Sequence, residues 1–145
     1  MMEELCLSAG GKTQGQTTHQ IARNVPPVIL SVSTDLSLLI TRALILEHGG
    51  FVVRACSPER AVERLSEGDI RFDGVLLCHS IDLDERVALA GHIRTAAPDL
   101  ALVLMQLPGD HFDITICDDV VMAQAGPEAL VAAIRRALSR RAPTT

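Results

Sequence analysis

Lysine is almost missing from this 145-residue chain: its thirteen basic residues are twelve arginines and Lys12. From residue 26 onward there is none, so chemistry that needs a side-chain ammonium is excluded there. Long apolar runs are missing too. None is longer than Leu100 to Met105, which falls far short of the roughly 18 residues that suggest a membrane span. The four cysteines, Cys6, Cys56, Cys78 and Cys117, include no closely spaced pair, which argues against a zinc motif and fits a reducing cytoplasm. The acidic start, Met1-Met2-Glu3-Glu4, has no basic-then-apolar signal, so a cytoplasmic protein is expected. A net charge of −5 without a basic cluster in the core excludes nucleic acid as the expected partner.

What is present is enough for one domain with a real core. Hydrophobic residues make up 48% and charged residues 21%, a globular balance rather than a disordered or disulfide-rich one. Residues 1–25 are the exception. They read Gly10-Gly11-Lys12-Thr13-Gln14-Gly15-Gln16-Thr17, polar and without a period, as a disordered tail would. Gly10-Gly11-Lys12-Thr13 lacks the earlier glycine and preceding strand of a phosphate loop. Pro26-Pro27 opens a domain expected over 26–141, followed by a short tail, 142–145.

Within that domain strands and helices alternate. Val28–Val32 reads as a strand, and Asp35 as the N-cap of a helix to about Glu47, closed by Gly49-Gly50. Phe51–Cys56 is a second strand, and Ser57-Pro58-Glu59 starts a second helix. Gly74–Cys78, after Phe72-Asp73, is a short apolar run suited to a central strand buried on both faces. Asp82 or Asp84 opens a third helix, halted by Pro98, and Leu100–Met105 is a fourth strand. A turn or short helix spans Pro108–Cys117, Val120–Met122 is a fifth strand, and Gly126-Pro127-Glu128 begins the last helix. In that helix Leu130, Val131, Ile134 and Leu138 form an apolar stripe, and Arg135, Arg136, Arg140 and Arg141 suit the negative helix end. Such alternation predicts an α/β fold, a doubly wound five-stranded parallel sheet in the order 2-1-3-4-5.

Three stretches carry a resemblance. Val28–Gly50, Asp73-Gly74-Val75-Leu76-Leu77, and Asp118-Asp119-Val120-Val121 with Gly126-Pro127-Glu128-Ala129-Leu130 resemble, in order and spacing, the receiver domain of two-component response regulators, the CheY-like superfamily. The resemblance implies a phosphorelay site. A carboxylate after the third strand accepts phosphoryl, two acidic residues after the first strand hold magnesium, and a hydroxyl and a lysine end the fourth and fifth strands. Here those positions fall on Cys78, on Ser33 and Thr34, on Gln106, and on Ala123 (Gln124 if the register slips by one). Phosphoryl transfer depends on offsetting the charge of the moving group, and these residues supply neither carboxylates nor a cation. The resemblance therefore implies a degenerate receiver: not an enzyme, without metal or cofactor, signalling through a protein partner or a homodimer, with the late helix as its surface. The segment from Gln106 to Asp118 is also shorter than the family's fourth helix and loops.

Other chemistries are legible at the same edge. Cys78 beside His79 could be a reactive thiol, although neighbouring strand positions face opposite ways and a buried cysteine is ordinarily a small hydrophobe. A metal set of Cys78, His79, His111 and Cys117 is opposed by topology, since Cys117 precedes the fifth strand and so lies at the opposite end of the sheet from Cys78. The crevice over Ser33, Thr34, Cys78 and Gln106, polar and uncharged, would suit a neutral small molecule. His48 and His92 read as surface residues.

Overall fold

A computed structural model describes residues 25–141; apart from Val25, the expected tail lies outside the described residues, as does 142–145. Five strands form one parallel sheet: β1 (Val28–Val32), β2 (Val52–Cys56), β3 (Gly74–Leu77), β4 (Ala101–Gln106) and β5 (Asp119–Met122), in the order β2-β1-β3-β4-β5. Three α-helices lie between strands, α1 (Leu36–His48), α2 (Ala61–Ser66) and α3 (Leu83–Ala96), and α4 (Pro127–Arg141) follows β5. The doubly wound order is the one the strand spacing predicts.

The sheet has one apolar layer on each face. Ile29, Leu76, Cys78, Val103, Met105 and Val121 pack with Leu46 of α1 and with Leu130, Ala133, Ile134 and Ala137 of α4. On the other face Leu30, Val32, Val75, Leu77, Leu102 and Leu104 pack with Ala61 of α2 and with Leu89, Ala90 and Ile93 of α3. Period-2 alternation feeds both layers, which is why β3 is wholly apolar, β4 is apolar up to Gln106, and β1 is interrupted only by the buried Ser31.

Local signals hold with informative exceptions. Asp35 caps α1, its Oδ1 accepting from Leu38 N at 3.2 Å. Asp82 precedes α3 but its side chain makes no capping bond. The chain leaves α1 through Gly50, at φ +99°, one residue beyond Gly49. Between β4 and β5 there is no α-helix, only a 3-10 turn at Ile114–Ile116. The stripe on α4 is core: Leu130 and Ile134 are buried, and Val131 and Leu138 pack against the same layer. It is α1 that exposes an apolar stripe, with Leu36, Ile40 and Leu44 each more than half exposed at helical spacing. Sequence periodicity could not separate these two helices, because α1 is apolar nearly all round.

Candidate functional site

Parallel strands end together, so the backbone gathers all five receiver-equivalent positions at one edge. Cys78 N donates to Val32 O at 3.0 Å, Ser33 N to Cys56 O at 3.2 Å, and Ala123 N to Gln106 O at 2.8 Å. Register aligns Val32 with Leu77, Leu77 with Leu104, and Gln106 with Met122. The backbones of Ser33, Thr34, Cys78, Gln106 and Ala123 therefore lie at one edge of the sheet.

Its chemistry is neutral where carboxylates would be needed. Ser33 Oγ lies 2.7 Å from Ser80 Oγ and accepts from Asp35 N at 3.0 Å. Thr34 N donates to Ser80 Oγ at 3.1 Å, and Thr34 Oγ1 donates to Ser80 O at 3.2 Å. These bonds stitch the β1–α1 loop to the β3–α3 loop. Each hydroxyl is occupied by its neighbours, so the three form a closed network rather than an open ligand set.

Cys78 is fully buried in the layer beneath. Burial pushes its thiol up to about 11, against the opposing pull of Arg42, the neighbouring Ser31 hydroxyl and Arg86. A reactive cysteine needs the thiolate, so this environment disfavours thiol chemistry. His79 is held below its ordinary value, by burial first and then by Arg42 and Arg86, which outweigh Asp110 and Asp35. Its Nδ1 is buried without a partner, as is Ser31 Oγ. Cys117 stands just before β5, at the opposite end of the sheet from Cys78, and does not join a cluster with it.

Two residues that sequence reasoning missed decide the electrostatics. The crevice was expected to have no cation, but Arg42 of α1 and Arg86 of α3 bring guanidinium groups to this edge, and both are buried. Arg86 donates to Ile81 O at 2.8 and 3.1 Å, to His79 O at 3.2 Å and to Met105 O at 3.0 Å. It also pairs with Asp110 Oδ2 at 2.9 Å, tying the β3–α3 loop to the end of β4. Asp110 is held below the usual carboxylate range by the backbone N–H of Leu107 and then by Arg86. Arg42 donates Nε to Met105 Sδ at 3.3 Å. A helix-period count marks both positions as inward-facing, which is the one signal that could have found them.

No family profile matches the sequence, and no curated protein does. Solved structures do match. A response regulator receiver domain protein from Clostridium thermocellum superposes with a TM-score of 0.67 at 17% identity, covering 79% of this chain and 96% of that one. This chain has the receiver-domain fold. A receiver protein from Sinorhizobium medicae WSM419 gives 0.66 at 22% identity, covering 81% and 98%. A CheY-like receiver from Methanospirillum hungatei JF-1 gives 0.66 at 17% identity, covering 81% and 97%. The receiver fold thus spans the described residues nearly from end to end. Within it, no described helix is long and apolar enough to cross a membrane.

Proposed function

We propose that the chain is a receiver-like signalling module, not an enzyme, that works through protein–protein interaction without being phosphorylated. One observation carries this reading: the Ser33–Thr34–Ser80 network occupies the place where the resemblance calls for metal-holding carboxylates. Magnesium prefers oxygen ligands with charge among them, and a hydroxyl network already satisfied by its neighbours offers a poor site. The acceptor position holds a fully buried thiol rather than a carboxylate. Cations are present, but Arg86 spends its donors on carbonyls and on Asp110, which leaves them committed before any phosphoryl group arrives. The exposed Leu36, Ile40 and Leu44 of α1 offer an apolar surface for an interaction with a protein partner or a second copy.

The test uses the full chain with acetyl phosphate, and separately beryllofluoride, each with magnesium. Intact mass should show no added phosphoryl group, and backbone amide NMR shifts at Thr34, Cys78 and Gln106 should stay where they are. A covalent adduct, or shifts at those amides that require magnesium, would overturn the reading.

A further inference from the structure

We propose that the exposed face of α1 pairs with the same face of a second copy of this chain, across a two-fold axis at Ile40. This rests on the signalling reading and deepens it by naming the partner. Six large apolar side chains are exposed among the described residues, and three of them share this helix: Leu36 at 71%, Ile40 at 55% and Leu44 at 63%. Spaced by four, they stand one above the other in a single row. The other long helices show what a solvated face looks like here. The outer residues of α3 include Asp84, Glu85 and His92, and those of α4 include Glu128, Arg135, Arg136 and Ser139. From Leu36 to Leu46 the one charged residue of α1 is Arg42, which is buried, so the outer face is uncharged for about three turns.

The residues along the row favour a copy over a different protein. From either end the row reads Leu, Ile, Leu, so a two-fold axis at Ile40 sets Ile40 against itself and Leu36 beside Leu44 of the second copy. Ser37, Thr41 and Ala43 beside the row are short and uncharged, which lets the two helices approach. Related in this way the helices run antiparallel. The His48 end of each then points toward the Asp35 end of the other, and the helix dipoles attract. A different protein would gain nothing from this symmetry, and an uncharged face offers no charge pattern by which to select one. The contact is small. Three aliphatic side chains per copy form the core of an interface of about 1,000 Å² in total, below the roughly 1,200 Å² of standard complexes, so a Kd on the order of 0.1 mM is expected.

The experiment is sedimentation equilibrium of the full chain without any phosphoryl donor, from about 10 µM to about 1 mM, which brackets that Kd. The mean mass should rise from one chain toward two. Ile40→Arg and Ile40→Glu place good helix formers at an exposed position, so both variants should stay folded. Each should weaken association at least about tenfold, because at the axis the new charge meets its own copy. Mixed in equal amounts, the two variants should associate again, since opposite charges then face each other. A dimer built on any other face would not show this reversal. Three results would each overturn the proposal: a mean mass of one chain throughout, unchanged association in the single variants, or no recovery in the mixture. A monomeric chain would still leave the signalling reading with another protein as partner. A phosphoryl adduct would overturn that reading without altering these masses, so the two proposals fail separately.

Discussion

The two ends of the sheet use opposite charges for the same task. At the amino end the strands present free N–H groups, and carboxylates accept from them. Asp73 Oδ2 takes Val28 N at 2.8 Å, Asp118 Oδ2 takes Leu102 N at 2.8 Å, and Asp119 Oδ1 takes Val120 N at 2.8 Å. Arginines then neutralise two of them: Arg94 and Arg141 pair with Asp118, and Arg136 and Arg140 with Asp119. At the carboxyl end the strands and loops present free C=O groups, and a guanidinium donates to them. Arg86 serves His79, Ile81 and Met105 there. Acids collect where the parallel sheet leaves donors unpaired, and a buried cation sits where it leaves acceptors unpaired. In this chain the charge at that edge serves the backbone.

That contrast can be broken from either end. The largest effect is expected at Arg86, which is almost fully buried. Arg86→Met should cost about 3–5 kcal/mol, because it strands Asp110 and the carbonyls it serves. Urea unfolding measures this, and a loss under 1 kcal/mol would show that the carboxyl edge does not depend on the cation.

Asp118→Ala probes the amino end and should cost less, about 1–3 kcal/mol. It leaves the buried Leu102 N–H without its acceptor and releases two partly exposed arginines, whose pairs contribute little by themselves. A cost equal to that of Arg86→Met would erase the difference between the ends.

The smallest effect is a pH dependence that sharpens the carboxyl edge. His79 is held below 6.5 when folded, so the unfolded chain takes up its proton first. Its contribution is fully present above about 6.5 and is lost as pH falls through the lower folded value. The urea midpoint should therefore decline between pH 7 and 5, and His79→Gln should flatten that decline. Asp110 and Asp119 are likewise held low, but their contributions persist until pH falls below about 4, the ordinary aspartate range. For Asp119, burial pulls upward, and Arg136, the Val120 N–H and Arg140 outweigh it. An unchanged slope in His79→Gln would separate this histidine from the buried guanidiniums.

The sequence carried further on fold than on site. Apolar runs at Val28–Val32, Gly74–Leu77 and Ala101–Gln106, with turn residues between them, specify a parallel sheet because only strands covered on both faces can bury such runs. The receiver resemblance, rather than spacing, singled out Ser33, Thr34, Cys78, Gln106 and Ala123, whose backbones lie at the carboxyl ends of the strands. The four late arginines looked like partners of a helix end. Three of them instead reach back to Asp118 and Asp119, a pairing 17 to 23 residues apart that no local rule could set.

The chain's order of residues was sufficient for topology, since hydrophobic period and glycine or proline punctuation are local and act on every element independently. It also shows that no lysine follows residue 26, and so none is part of β5 or the residues after it. Which helix keeps its apolar face in water, and where Arg42 and Arg86 lodge, was decided by packing. An arginine's position along a helix does not reveal whether its head meets carbonyls, as in Arg86, or a cavity, as in Arg42. That outcome depends on which distant strand ends, Met105 among them, the fold brings beneath it.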